Sequence, residues 1–152
     1  MTKYLTSNHS VLNVHKKPNK RSEIVTQMIF GESFSILKKT GKWLKIKIRE
    51  DNYKGYIKNK KFSNFVIPTH KIKVLKAKVY NIFNKRKKID EMTFGSKIRV
   101  TDKSRGLMKF SKGWINCKDV VPITFKEKNF FKNITIFKNI RYKWGGKSFR
   151  GI

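Results

Sequence analysis

Trp43-Leu44-Lys45-Ile46-Lys47-Ile48 alternates between apolar and cationic side chains over six positions. Period-two patterning rich in β-branched residues marks a strand with one face buried and the other in water. The same rhythm recurs on the N-terminal side. Val11-Leu12-Asn13-Val14-His15 sets Leu12 and Val14 on one face with Val11 out of phase, and Ser33-Phe34-Ser35-Ile36-Leu37 alternates again. Turn signals separate these runs: Lys17-Pro18-Asn19, Phe30-Gly31-Glu32, Thr40-Gly41-Lys42, and Asp51-Asn52 ahead of Gly55. Short strands spaced about ten residues apart predict a small closed or half-closed barrel, here over residues 5–66.

The pattern then repeats. Asn19-Lys20-Arg21 returns as Asn84-Lys85-Arg86, Phe30-Gly31 as Phe94-Gly95, and Gly55-Tyr56-Ile57 as Gly113-Trp114-Ile115. Order is kept while the spacing shrinks towards the end, so the distal hairpin of the second copy is expected to be shorter. Self-similarity of this kind argues for a duplicated unit. The second barrel is predicted over residues 70–123, with strand-like segments Lys78-Val79-Tyr80, Lys97-Ile98-Arg99-Val100 and Leu107-Met108-Lys109-Phe110. Ser63 to His70, with Pro68, forms the linker. A barrel of this size has a marginal core and gains from packing against a neighbour.

Charge is the dominant compositional feature. The 152 residues carry 38 basic and 9 acidic side chains, a net charge of +29. Lysine supplies 31 of the basic residues, isoleucine (17) outnumbers leucine (6), and Ala77 is the only alanine. That bias towards AT-rich codons explains much of the charge as solvated lysine, and no arginine-fork or nucleic-acid motif stands out, so no specific nucleic acid is expected. A polyanion-binding surface is the alternative. No apolar run reaches membrane-spanning length, and the first seven residues do not read as a signal peptide, so a cytoplasmic location is expected, with a periplasmic or wall-associated one as the alternative. His9, His15 and His70 lack ligand spacing, and neither a metal nor a cofactor is expected. Cys117, after Gly113-Trp114-Ile115-Asn116, is read as a structural thiol in a strand, with no histidine near it in sequence.

Residues 125–152 form a third piece. Phe130, Phe131, Ile134, Phe137 and Ile140 recur at helical spacing, although Ile134-Thr135-Ile136 disfavours a helix. The end of the chain reads Tyr142-Lys143-Trp144-Gly145-Gly146-Lys147-Ser148-Phe149-Arg150-Gly151-Ile152, a tight turn beside an aromatic cluster. This stretch resembles the Y-x-W-G-G-x-S-x-x-G-I segment that leads into the Asp-Cys-Ser of NlpC-type cell-wall cysteine peptidases. The chain is expected to stop short of the nucleophile, leaving an incomplete start of an α+β papain-like domain. It therefore contributes no catalytic residue and is expected to be inert alone.

The first module also resembles a bacterial SH3-like domain, in which L-N-V-R-x-x-P opens and G-W/Y-I closes. Leu12-Asn13-Val14 and Gly55-Tyr56-Ile57 match, and His15 stands in place of the arginine. The expected class is all-β, two tandem SH3-like barrels followed by a short helix. The resemblance implies a γ-D-glutamyl–diamino-acid peptidase acting on peptidoglycan stem peptides with a free N-terminal L-alanine. It assigns substrate-binding roles to Glu23 and Tyr53, which would meet the alanine ammonium, and to Trp144, which would line the groove. Its partner would be the catalytic domain itself, and no membrane is implied; the alternative is a stand-alone SH3-like module binding cell-wall peptide, a protein partner or a polyanion.

Overall fold

A computed structural model describes residues 3–82 and 87–152 and divides them into two compact units, 1–66 with 141–152, and 67–140. Nearly all regular structure is antiparallel sheet, as the alternating runs predict.

The first unit holds seven strands: β1 (Tyr4–Thr6), β2 (Val11–His15), β3 (Ile24–Ile29), β4 (Ser33–Thr40), β5 (Trp43–Ile48), β6 (Lys54–Lys58) and β7 (Ser63–Asn64). They lie in the order β3-β2-β6-β5-β4-β1-β7. β5 behaves as its sequence dictates, with Leu44, Ile46 and Ile48 buried and the residues between them half-exposed. Those three pack with Val14, Met28, Phe34 and Ile57 in one core cluster, flanked by Leu5, Leu12, Val25 and Phe62. The alternation in β4 does not carry through. Ser33, Phe34 and Ser35 are all buried, whereas Ile36 and Leu37 are 44% and 48% exposed. The pairing of β4 with β5 slips between Ile36 and Lys38, and a bulge there turns the remaining hairpin away from the core.

The second unit contains β8 (His70–Ile72), β9 (Lys76–Tyr80), β10 (Lys88–Thr93), β11 (Lys97–Ile98), β12 (Asp102–Ser104), β13 (Leu107–Phe110), β14 (Gly113–Asn116) and β15 (Val120–Pro122). One sheet runs β10-β9-β14-β13-β12 and another β11-β8-β15. When β11 and β12 are read as two halves of one interrupted strand, this is the strand order of the first unit. The turn after the third strand repeats in detail. Gly31 (φ 82°) and Gly95 (φ 79°) both adopt the left-handed conformation. The Gly31 amide donates to Ser7 O at 2.9 Å, and that of Gly95 to Ile72 O at 3.0 Å. Val14 and Val79, Met28 and Met92, and Ile57 and Ile115 are the matching buried pairs. The missing length falls between β13 and β14, where two residues replace the five between β5 and β6. The Asn84-Lys85-Arg86 part of the repeat lies outside the described residues.

The segment read as a single third piece is divided. Residues 125–140 belong with the second unit and 141–152 with the first. The helix is short, α1 (Phe130–Thr135). Beyond it, three-residue turns close through the Phe137, Lys138 and Ile140 amides, and Asn139 is left-handed (φ 70°). The β-branched run ends the helix early, as its rotamer restriction favours. Phe137 packs edge-on against Phe94 at 5.2 Å, whereas Phe131 and Ile134 are exposed. Among the described residues no helix is long and apolar enough to cross a membrane.

Candidate functional site

Residues 141–152 dock against β3, the turn after it and the turn between β5 and β6. Gly145 lies flat on the strand: a β-carbon built there would sit 3.0 Å from the Val25 carbonyl carbon and 3.1 Å from Ile24 O and Thr26 N. Its φ of 68° is left-handed, so both the contact and the backbone require glycine. Two residues on, the Lys147 amide donates to Gln27 Oε1 at 3.0 Å, and the Ser148 hydroxyl donates to the same oxygen at 3.3 Å. Gln27 is held in turn by its own amide donating to Asn13 Oδ1 at 2.9 Å. The segment also closes on itself. The Gly146 amide donates to Lys143 O, the Lys143 amide to Ile152 O, and Ser148 and Gly151 exchange a pair of bonds.

Lys147 fastens the segment. Its ammonium lies 2.8 Å from Glu32 Oε1 and 3.0 Å from Asp51 Oδ2. The Glu32 side chain is only 7% exposed, and its second oxygen accepts the Ile29 amide at 2.8 Å. Burial raises the Glu32 pKa above its ordinary value, against the opposing pull of Lys147. For Lys147, burial is the largest single influence and lowers its pKa. Glu32 and Asp51 together outweigh it, so the ammonium holds its proton more tightly than a free lysine does. The second unit does not offer a carboxylate at the matching turn position, because Ser96 stands where the first has Glu32.

The three residues singled out from sequence all belong to the first unit. Glu23 immediately precedes β3 and is half-exposed, paired with Lys16 at 3.0 Å. Tyr53 is 49% exposed, and its amide donates to Asp51 Oδ1 at 3.0 Å. Trp144 is 64% exposed. Among the described residues none of the three hydrogen-bonds to another. They are linked through the docked segment: Gly145, next to Trp144, rests on the strand that begins after Glu23, and Lys147 grips the carboxylate that positions the Tyr53 backbone. Sequence reasoning missed Gln27, Glu32, Asp51 and Lys147. Glu32 and Asp51 read as turn residues, and their cationic partner lies about a hundred positions away, beyond the reach of any local pattern.

Cys117 is half-buried and opens a three-residue 3-10 turn, Cys117–Asp119, rather than continuing the strand, which ends at Asn116. Its amide donates to Gly106 O at 2.9 Å.

Residues 14–62 match the family model of the bacterial dipeptidyl-peptidase SH3 domain. The fold is similar to that of an NlpC/P60 family protein from Bacillus cereus ATCC 10987, with a TM-score of 0.77 at 12% identity over 98% of this chain and 68% of that one. NlpC2 and NlpC1 from Trichomonas vaginalis are similar at 13% and 14% identity over 87% and 85% of this chain, both with a TM-score of 0.34. The chain spans about half the length of those two proteins, 52% and 47%. No curated protein matches the chain in sequence. The class is therefore an all-β protein of SH3-like architecture. More particularly, the chain carries a bacterial SH3 domain and is related in fold to an NlpC/P60 family protein.

Proposed function

We propose that the chain is the substrate-specificity region of a peptidoglycan-peptide hydrolase, a cysteine endopeptidase that cuts after γ-D-glutamate in murein turnover or recycling. In this reading Glu23 and Tyr53 receive the free ammonium of the leading L-alanine, and Trp144 walls the groove. The observation that carries the reading is the docked segment, which touches both the strand following Glu23 and the turn holding Tyr53. A half-exposed carboxylate suits an ammonium ligand, because a charge-assisted hydrogen bond needs an acceptor that a ligand can reach. Lys16 now occupies that carboxylate, and a bound peptide amine would replace it. The cytoplasm, where trimmed stem peptides would be recycled, is the proposed location.

Titration calorimetry with L-Ala-γ-D-Glu-diaminopimelate tests the assignment. Glu23→Ala is expected to weaken binding about tenfold, the scale of one hydrogen bond to a charged group. N-acetylating the peptide should cost as much, and the two losses should not add. Equal affinity for the free and acetylated peptides would sink the role of Glu23. Lys16→Ala, which frees the carboxylate, should tighten binding by about twofold to fivefold, since exposed pairs are weak competitors.

These 152 residues are also expected to release no product from the same peptide. Cys117 lies in the other unit, and no histidine hydrogen-bonds to it among the described residues, so a thiolate–imidazole pair is lacking. Product above the blank by chromatography would refute this.

A further inference from the structure

The first unit carries a second candidate site, away from the docked segment. A cleft of about 860 Å³ is lined by Lys20, Arg21, Lys39, Lys42, Lys58 and Lys60, together with Trp43 and the polar residues of the adjoining turns. A smaller hollow of about 140 Å³ shares Lys20, Trp43, Lys58 and Lys60 and adds Asn13 and His15. The two form one continuous groove with an indole wall. His15 packs edge-on against that indole at 5.4 Å, which holds the ring in place.

The groove contains no counter-charge. Glu23, Glu32, Glu50 and Asp51 are the acidic residues of this unit, and none of them lines it. Glu23 is paired with Lys16, Glu32 and Asp51 are joined to Lys147, and Glu50 accepts the Ser33 amide. The cations are close enough to affect one another: the Lys20 side chain is the largest influence lowering the Lys58 pKa, with further contributions from Lys60 and Lys42. Here β6, the β4–β5 turn and the loop before β3 deliver them to one concavity, where a bound anion would relieve their repulsion.

We propose that this groove binds a row of phosphate oxyanions, with Lys20, Lys58 and Lys60 on the phosphates, the Arg21 fork on an outer one, and Trp43 against whatever links them. Phosphate matches the donors because lysines act as point charges and arginine can grip two oxygens at once. A phosphate polymer and a single-stranded nucleic acid share this chemistry. The indole can stack on a base, and it can equally cover an apolar spacer.

The test uses the full chain at physiological salt with two probes, inorganic tripolyphosphate and a short oligothymidylate. Two double variants remove the same charge: Lys20→Gln with Lys58→Gln in the groove, and Lys118→Gln with Lys126→Gln, two exposed lysines of the other unit. The groove variant is expected to weaken binding at least about tenfold, as the loss of two charge-assisted contacts implies. Its salt dependence should also become shallower by about one and a half units of log K against log salt, for two charges removed. The distant variant should stay within about twofold. Loss confined to tripolyphosphate identifies a free phosphate chain as the ligand source, and loss confined to the oligonucleotide identifies nucleic acid. An equal loss in both double variants overturns the proposal, because charge spread over the whole surface would then account for binding, and so does the failure of both probes to bind at this salt.

Discussion

Lys147→Met is expected to loosen residues 141–152 from β3 and to destabilise the first unit by about 2–3 kcal/mol. Removing one partner of a buried ion pair ordinarily costs about 3–5 kcal/mol, because the other charge stays behind unpaired. The lower figure applies because the Lys147 side chain is 28% exposed and Glu32 keeps the Ile29 amide. Glu32→Gln should cost far less, about 1 kcal/mol, since a neutral amide can still accept from Ile29 and Lys147 keeps Asp51 at 3.0 Å. The double variant should lose clearly less than the sum of the two single losses, because removing the Glu32 charge also removes the unpaired carboxylate that Lys147→Met leaves behind. Hydrogen exchange at the Lys147 and Ser148 amides reports the effect within this unit alone. Its pH dependence follows from the shifts. The raised Lys147 pKa means its contribution is complete below the ordinary lysine range and is lost as pH climbs through the higher folded value. Glu32 is also raised, so its contribution is complete below the ordinary carboxylate range and declines as pH rises through its folded value. At neutral pH the buried carboxylate is therefore a burden that Lys147 offsets, which is why removing the lysine does more harm than removing the acid. Equal losses for the two single variants would contradict this account.

Much of the fold could be read from local chemistry. The alternation of β5 and the repeated Phe-Gly turns anticipated strands and a duplicated unit, because half-burial and left-handed turns each demand particular residues at particular places. What local patterning missed was non-local. Ile36 and Leu37 fit an alternating strand, yet a bulge in the pairing with β5 turns them outward. The stripe over 130–140 fitted a helix, yet only its first half is one. Arg21, Lys42 and Lys58 looked like separate members of a general lysine excess, and only the chain path brings them to one groove. Glu32, Asp51 and Lys147 carried no signal of their pairing, since an ion pair across the chain leaves no period. Glu23, Tyr53 and Trp144 came from family likeness, and the structure places them on one unit, with no hydrogen bond between them among the described residues.

Gly145→Val should detach the same segment by a different route, at an expected cost of about 2–4 kcal/mol to the docked state. A left-handed backbone costs a residue with a β-carbon about 1–2 kcal/mol, and a β-branched one more. The new side chain would also meet backbone atoms of Ile24, Val25 and Thr26, and a strand paired along its length with β2 cannot yield as a flexible side chain would. The core lies elsewhere, in Val14, Met28, Phe34, Leu44, Ile46, Ile48 and Ile57, so the sheet itself should survive. The variant thus separates docking from folding. Exchange at β5 amides should be nearly unchanged, while the Lys147 and Ser148 amides lose protection and the chain becomes open to trypsin at Lys143 and Lys147. If the proposed specificity site is assembled by docking, stem-peptide affinity should fall together with that protection, even though Glu23 and Tyr53 are untouched. A variant that lost amide protection at Lys147 and Ser148 yet bound the peptide at full strength would show that Trp144 and its segment take no part in recognition. It would leave Glu23 and Tyr53 to act alone.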